Sequence, residues 1–307
     1  MAELAVAAPR SLWALTYRRF RRHRLAVASA LLLIVLTLAA IGAPLIAAAL
    51  GVDANAVDLL GRFAAPSFGH PLGTDELGRD VLVRLLYGGR VSLIVGVAAA
   101  LASAVIGTAV GLVAGYYGGR LDIALMRVTD SVIALPILPL LIVLAALDVT
   151  KLGLPDAVTQ SDQISLYRIV AIIAVVGWTR VARLVRGATL SMREREFVLA
   201  ARAQGASALR IMGVHILPNV VSPIIVSTTL SIGGVILFES ILSFLGLGIQ
   251  PPLPSWGNML TGAQELIWDA PQLVVYPGLM IFVTVIAFNF LGDGLQDALD
   301  PRAVHGA

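Results

Sequence analysis

The 307-residue sequence contains no cysteine and only one lysine, Lys151. The absence of cysteine excludes disulfide bonds, thiolate metal ligands and a cysteine nucleophile. Because Lys151 lies in the stretch Val-Thr-Lys-Leu rather than after a glycine-rich turn, the chain also lacks the phosphate loop of nucleotide-binding proteins. We therefore expect that this chain is not an enzyme and does not itself hydrolyse ATP. Its net charge of +3 is too small to predict nucleic-acid binding.

Histidine and charge are also scarce. The four histidines are scattered without a partner at metal-ligand spacing, and no Gly-x-Ser-x-Gly motif occurs. We predict no catalytic residues, no metal site and no cofactor bound by this chain. Charged residues make up 13% of the sequence, about half the share in a soluble domain, and hydrophobic residues make up 58%. Most of the chain is therefore expected to avoid water.

Long uncharged runs identify a lipid bilayer as the surrounding solvent. The runs 25–50 and 91–115 contain no charged residue, and each exceeds the roughly 20 residues that a helix needs to cross the hydrocarbon core. Four further apolar runs complete an all-α membrane protein with six transmembrane helices. The predicted spans are 25–50, 91–115, 131–147 with an extension over 123–130, 167–185, 219–245 and 273–291.

The distribution of basic residues predicts the orientation of these spans. Of the 22 Lys and Arg residues, 16 lie in the segments 1–24, 116–130, 180–213 and the C-terminal tail. Positively charged loops remain in the cytoplasm, so both termini are predicted to be cytoplasmic. The predicted organisation is a cytoplasmic tail (1–24), a first span (25–50), an extracytoplasmic loop (51–90), a five-helix core (91–295) that includes a cytoplasmic loop (186–218), and a cytoplasmic tail (296–307).

Glycine and proline interrupt several spans. Gly107, Gly111 and Gly115 recur at four-residue spacing, which we interpret as a stripe for close helix packing. Proline kinks a membrane helix, and each proline is interpreted either as a kink beside a water-filled pathway or as an ordinary membrane-helix proline. The prolines concerned are Pro136, Pro139, Pro223 and Pro277.

Acidic residues are almost absent from the predicted spans, and only Glu239 lies well inside one. An ionisable residue within a membrane is by default a functional candidate. Two interpretations remain open, namely a carboxylate facing a solute pathway, and an acid that is hydrogen-bonded to a neighbouring helix or hydrated at the outer vestibule. A carrier driven by protons or ions would be expected to bury several such groups, so a single acid argues against that class.

The cytoplasmic loop 186–218 has signals for local structure. The run Ser191-Met192-Arg193-Glu194 has the pattern of a capping box, which predicts a helix over 192–204. Gly205 is expected to end that helix in the left-handed conformation. Ser207 is expected to cap a second short helix, and Pro218 lies near the start of the fifth span, where proline is tolerated.

The predicted 192–204 helix has a small apolar face. Phe197, Val198 and Ala201 form this face, and Arg202 near the helix end matches the helix dipole. The helix could lie on lipid or in a groove of another protein. Because the face is small and rich in alanine, the sequence favours a protein groove.

The same loop resembles a known motif. It contains Ala200-Ala201, then three residues, Gly205, nine further residues and His215-Ile216-Leu217-Pro218. This pattern resembles the Glu-Ala-Ala loop of ATP-binding-cassette importer permeases. In that family the loop forms a coupling helix that docks in a groove of the ATPase subunit. Leu199 and His215 depart from the family's glutamate and isoleucine. The resemblance implies ATPase coupling by Glu196, Phe197, Ala200, Ala201, Arg202, Gly205, Ser207 and Pro218.

Three further motifs narrow the resemblance to the C-type subunit of the dipeptide, oligopeptide and nickel permeases. They are His-Pro-Leu-Gly-Thr-Asp-Glu-Leu-Gly-Arg-Asp at 70–80, Leu-Ser-Phe-Leu-Gly-Leu-Gly at 242–248, and Phe-Asn-Phe-Leu-Gly-Asp-Gly-Leu-Gln-Asp-Ala-Leu-Asp-Pro at 288–301. The resemblance implies a type I importer permease fold that crosses the bacterial inner membrane several times. It also implies four partners, namely a homologous permease subunit, two ATPase subunits that carry ATP and Mg²⁺, and an extracytoplasmic solute-binding protein.

The charges of the loop 51–90 suggest where the solute-binding protein docks. Asp75, Glu76, Arg79 and Asp80 form a mixed-charge surface, although a solvated loop without a partner is the alternative. The resulting prediction is a permease subunit that translocates di- or oligopeptides, or a related solute such as glutathione, a nickel chelate or an opine. The alternative function is an ion-coupled secondary carrier or a channel.

Overall fold

The computed structural model describes residues 12–147, 161 and 163–299, and these residues are largely helical. Five helices are long and apolar enough to cross a membrane, and a sixth crossing is present if one sharply bent pair of helices counts as a single span. The main helices are α1 (Leu12–Arg22), α2 (Arg24–Ile41), α3 (Ala43–Leu50), α4 (Val81–Tyr117), α5 (Gly119–Ala134), α6 (Ile137–Ala145), α7 (Ile164–Met192), α8 (Glu196–Ala203), α9 (Leu217–Phe244), α10 (Ala263–Asp269) and α11 (Gln272–Leu299).

The first predicted span, 25–50, is divided into α2 and α3 at Gly42. Pro44 lies in the first turn of α3, where its missing N–H is not needed. The proline ring cannot follow a continuous helix without clashing with the preceding turn, so the chain breaks there. The continuous helix predicted over 25–50 is therefore corrected to two consecutive helices.

Helix α4 begins ten residues before the predicted second span. Its N-cap is Asp80, whose side chain accepts a hydrogen bond from the Val83 backbone N–H at 2.7 Å. Residues 81–90, predicted as part of an extracytoplasmic loop, are instead the first turns of this 37-residue helix. The helix ends at Gly118, which has a φ of 65°. Arg84 and Arg90 interrupt the apolar run, which is why hydrophobicity alone placed the helix start too late.

The third predicted span is bent. Helices α5 and α6 meet at an angle of 88° across Leu135 and Pro136. Pro136 lacks an N–H and restricts the residue before it to an extended conformation, which ends α5. Residues 148–160 and 162, which lie between the third and fourth predicted spans, are outside the part of the chain that the structure describes.

The last three spans are longer than predicted. Helix α7 continues past residue 185 as far as Met192, and α11 continues past residue 291 to Leu299. Helix α9 is preceded by a helical turn at Ala208–Arg210 and a π-helical stretch at Ile211–Ile216. Helical structure thus runs without interruption from Ala208 to Phe244.

Helices α4 and α7 share the most extensive contact among the described elements. The glycine stripe of α4 faces α7, and a Cβ atom at Gly107 would come within 2.5 Å of the Trp178 carbonyl oxygen. A Cβ atom at Gly111 would lie 2.6 Å from the Ala182 carbonyl oxygen. The predicted role of the stripe in close helix packing is confirmed, because only glycine allows the two backbones to approach this closely.

Candidate functional site

The segment between α7 and α9, residues 193–216, contains the short helix α8. This helix begins at Glu196, and its N-cap is Arg195, which makes no side-chain capping hydrogen bond. The predicted capping box is wrong, because Ser191 lies in the last turn of α7 and Glu194 accepts a hydrogen bond from Arg193 Nε at 3.0 Å. The helix predicted over 192–204 is therefore shortened to 196–203.

The end of α8 has the predicted local geometry. Gly205 has a φ of 81°, and the N–H of Ala206 donates to the Ala201 carbonyl at 3.1 Å. This is the glycine-stop arrangement of a helix C-terminus. Ser207 Oγ accepts a hydrogen bond from the Arg210 N–H at 3.4 Å, and Pro218 lies in the first turn of α9. These three residues therefore set the course of the chain from α8 to α9.

One side of α8 is buried by the rest of the chain. Val198 and Ala201 pack in a hydrophobic cluster with the π-helical residues Ile211, Met212 and Ile216. The prediction that Val198 and Ala201 are available to a partner is therefore wrong. Their side chains fasten α8 to the start of α9, so the two helices form one packed unit.

The opposite side of α8 is exposed. Phe197 and Leu199 have 44% and 45% of their surface accessible. Leu199, which occupies the family's glutamate position, was not selected from the sequence. The polar and small residues that accompany them on the exposed side are Glu196, Ala200 and Arg202.

Arginines connect this region to the neighbouring helices. Arg202 places its guanidinium carbon 5.5 Å from the ring centroid of Tyr116, at the end of α4. Arg183 on α7 donates a hydrogen bond to Asp130 on α5 at 2.6 Å. One turn later in α7, Arg186 forms an ion pair with Asp122, which is also on α5. The end of α4 is thereby joined to the 193–216 segment, and α7 is joined to α5.

A cavity of about 690 Å³ lies between α4, α7, α9 and α11. It extends from the start of α9, which follows the 193–216 segment, and the end of α11 toward the middle of the bundle. Its wall combines apolar side chains with hydroxyl and amide groups. The polar wall residues include Ser103, Arg180, Asn219, Ser222, Ser227 and Ser231. The sequence contains a signal for this wall, because the polar residues of α9 are three to five positions apart along one side of the helix.

Glu239, the predicted pathway residue, is completely buried and does not belong to the wall of this cavity. Its carboxylate accepts hydrogen bonds from Ser92 Oγ at 3.0 Å and from Ser243 Oγ at 2.7 Å. Ser92 in turn accepts from the Trp256 N–H at 3.2 Å, and Ser243 accepts from the Ile249 N–H at 3.0 Å. This geometry matches the second interpretation of the sequence, an acid hydrogen-bonded to a neighbouring helix, and a role in a pathway stays a prediction.

The four predicted docking residues for a binding protein differ in accessibility. Asp75 is buried and accepts hydrogen bonds from the N–H groups of Leu77 and Arg79 and from Arg79 Nε. Asp80 is also buried, where it caps α4 and pairs with His70 Nδ1 at 3.0 Å. Both carboxylates therefore hold the loop together and are largely withdrawn from solvent.

Glu76 and Arg79 are the two predicted docking residues that retain accessible surface. They are joined by a hydrogen bond of 3.1 Å. Leu60 and Phe68, in the same loop, are fully exposed. Their accessibility could not be read from the sequence, because the loop has no periodic pattern that assigns a buried side.

Within the described residues, no group of three or more histidine, aspartate or glutamate side chains is arranged to hold a metal ion. The acidic residues that approach another charged side chain are paired with arginine or histidine, as for Asp122 with Arg186 and Asp80 with His70.

Comparison with known proteins gives consistent results along the chain. Residues 107–305 match the family described as the binding-protein-dependent transport system inner membrane component. Residues 11–66 match the N-terminal transmembrane domain of oligopeptide transport permease C.

Three similar proteins are permeases from different bacteria. The chain is 40% identical over 290 residues to the dipeptide transport system permease protein DppC of Alkalihalophilus pseudofirmus, which covers 94% of this chain and 90% of the relative. It is 37% identical over 292 residues to the oligopeptide transport system permease protein OppC of Bacillus subtilis, and the aligned residues cover 95% of this chain and 90% of the relative. It is 42% identical over 294 residues to the glutathione transport system permease protein GsiD of Escherichia coli, and the aligned residues cover 95% of this chain and 91% of the relative.

The family match covers more than half of the chain, and the relatives align over nearly all of it. The apolar helices agree with a transport component of the inner membrane. The chain therefore belongs to the family of binding-protein-dependent transport system inner membrane components.

Proposed function

We propose that this chain is one of two permease subunits of an ATP-driven importer for short peptides or glutathione, and that α8 is its contact with an ATPase subunit. The partners are a homologous permease subunit, two ATPase subunits that bind ATP and Mg²⁺, and an extracytoplasmic solute-binding protein. The observation that carries the proposal is the geometry of α8. Its inner side is packed on the start of α9, whereas Phe197 and Leu199 remain exposed.

The proposed orientation places both termini and α8 in the cytoplasm. The basic helix α1 supports this orientation, since Arg19, Arg21 and Arg22 lie in its last turn. His23, which follows it, lies 3.7 Å from Asp297 near the end of α11. The N-terminal basic residues and the end of the last span are therefore at the same end of the bundle, which carries the excess of positive charge expected of a cytoplasmic side.

Packing of α8 on the π-helical residues supports a mechanical role. Val198 and Ala201 contact residues that continue directly into α9, so a displacement of α8 acts on the wall of the cavity. ATP-driven closure of the ATPase dimer would thus change the shape of the cavity through α9. This mechanism needs no catalytic group in the permease.

Phe197→Ala is expected to weaken the contact with the ATPase without affecting membrane insertion, because the residue lies outside every span. Loss of a large apolar anchor at an interface commonly costs about 2 kcal/mol, which corresponds to roughly thirtyfold weaker binding. Reconstituted importer in liposomes would show reduced stimulation of ATP hydrolysis by the loaded binding protein and reduced solute uptake.

Phe282→Ala is the matched control for this variant. Phe282 is 61% exposed and lies on α11, away from α8, so its removal should leave both activities unchanged. Full stimulation and full uptake in the Phe197→Ala importer would contradict the assignment of α8 as the coupling contact.

Gly205→Val tests the path of the chain after α8. A β-branched residue at a φ of 81° is strained by about 1–2 kcal/mol, although no atom lies within 4 Å of the added Cβ. We expect lower ATPase stimulation and uptake, with normal insertion. Gly205→Asn is the control, because asparagine tolerates the left-handed conformation. Equal activity of the valine and asparagine variants would show that the conformation of residue 205 is unimportant for coupling.

A further inference from the structure

The α7 helix carries three arginines at three-residue spacing, and only two of them have acidic partners. Arg183 pairs with Asp130, and Arg186 pairs with Asp122. Arg180 is exposed on the wall of the cavity, and none of the residues that the structure describes forms an ion pair with it. A cation without a partner inside a membrane helix is energetically costly unless water or a ligand surrounds it.

The cavity wall around Arg180 has a positive charge that no acidic residue in the described part of the wall balances. The described residues that line the cavity include hydroxyl and amide groups but no carboxylate. The wall therefore carries a single positive charge together with neutral hydrogen-bonding groups. Such a surface complements a solute that has one anionic group and several neutral polar groups, and arginine is well suited to bind a carboxylate through two parallel hydrogen bonds.

Ser103 provides a second, independent observation. The residue is buried, with 5% of its surface accessible, and its hydroxyl has no hydrogen-bond partner within the described part of the chain. The same residue lines the cavity that contains Arg180. A buried hydroxyl without a partner is unfavourable, and a polar group of a bound solute would satisfy it.

Gly177 keeps these two groups close to the same space. It lies one helical turn before Arg180, and a Cβ atom at this position would come within 2.7 Å of Ser103 Oγ. The absence of a side chain at residue 177 therefore brings the Ser103 hydroxyl against α7, next to the turn that carries Arg180. Both residues line a cavity of about 690 Å³, which is within the range of small-molecule sites.

We propose that this cavity is a binding site for the solute during transport, in which Arg180 binds a carboxylate and Ser103 and the α9 serines bind neutral polar groups. The solute class is a small molecule with a free carboxylate, such as a short peptide with an unmodified C-terminus. The inference rests on the proposed function in taking the solute to be a peptide. Anionic lipid headgroups and inorganic phosphate also bind arginine, so the experiment separates these sources.

The first experiment measures protection of Arg180. The purified complete importer is treated with phenylglyoxal, which modifies arginine, and the modified residues are identified by mass spectrometry. Millimolar trialanine is expected to slow modification of Arg180 several-fold, whereas trialanine amide is not. Exposed Arg127 on α5, outside the cavity, is the internal control and should not be protected by either solute. Absence of protection by trialanine, or protection only by phosphate or phosphatidylglycerol, would overturn the proposal.

The second experiment measures uptake of trialanine by importer in liposomes. Arg180→Gln is expected to lower uptake about tenfold or more, because a hydrogen bond to a charged group is lost. Arg180→Lys should lose less, Ser103→Ala should lose a few-fold, and Arg127→Gln should resemble wild type. Each variant should retain the two ATPases and the second permease subunit on purification.

The outcomes separate the site from the proposed function. If wild type takes up trialanine and Arg180→Gln takes it up equally well, the proposed binding site is overturned but the proposed peptide import is not. Failure of Arg180→Gln to bind the second permease subunit would overturn the site in favour of a subunit interface. Protection of Arg180 by trialanine without uptake by wild type would support the carboxylate site and contradict the proposed peptide import.

Discussion

Gly111→Val is expected to prevent correct packing of α4 against α7 and to abolish accumulation of folded protein. The first added carbon alone would lie 2.6 Å from the Ala182 carbonyl oxygen and 2.7 Å from Val185 Cβ. Backbone atoms in the centre of a helix cannot move aside individually, so the two helices must separate. Overpacking of this kind commonly costs 1–3 kcal/mol, and because backbone is contacted we expect at least about 3 kcal/mol.

Gly187→Val is the matched control, since Gly187 belongs to α7 and no atom lies within 4 Å of its added Cβ. Thermal unfolding in detergent and yield after membrane extraction measure the effect. The Gly111 variant should unfold at a much lower temperature or fail to accumulate, while the Gly187 variant behaves as wild type. Similar stability of the two variants would show that the close contact of α4 and α7 is not needed in the membrane.

Glu239→Leu is expected to destabilise the bundle and to reduce transport in proportion to the loss of folded protein. The substitution removes the acceptor of two buried hydroxyl groups, those of Ser92 and Ser243. Leaving buried polar groups without partners costs about 1–3 kcal/mol for each group, so the two hydroxyls together predict a loss of about 2–6 kcal/mol. The segment containing Ile249 and Trp256 would also lose its attachment, because the same serines bind its backbone.

Glu239→Gln separates the two interpretations of this residue. Glutamine keeps one of the two acceptor oxygens, so a structural anchor predicts that stability and uptake fall together, by about half as much as in the leucine variant. A residue that binds solute in a pathway predicts normal stability but low uptake. Thermal unfolding and uptake by the reconstituted importer, measured on both variants, decide between these results. Low uptake of a stable glutamine variant would contradict the anchoring role.

Features that depend on neighbouring residues in the sequence were predicted well. The apolar runs that became α2, α4, α7, α9 and α11 were recognised because hydrophobicity is a property of the segment itself. The stop at Gly205 was also predicted, since a glycine after a short helix is a local signal. The glycine stripe of α4 was predicted for the same reason, because its spacing matches the helical repeat.

Features that depend on tertiary contacts were missed or misplaced. The start of α4 depends on a cap from Asp80, and this residue is fixed by His70 in a loop without regular structure. The buried side of α8 is decided by the π-helical residues, so apolar character alone did not distinguish Val198 from Phe197. The cavity was missed because four helices form its wall, and the polar side of α9 alone does not show what the other three helices contribute.

Helix α4 joins two distant regions of the molecule as a single rod. Its 37 residues extend for about 55 Å at 1.5 Å per residue. Its first turns are fixed to the 51–80 loop through Arg84 and Asp75, which lie 3.5 Å apart, and its last turn carries Tyr116 beneath Arg202. A continuous helix resists both stretching and sharp bending, because either would break backbone hydrogen bonds. A tilt of only about 5° at one end would therefore displace the other end by roughly 5 Å, so events at opposite faces of the membrane are geometrically linked without any change in the fold of the rod.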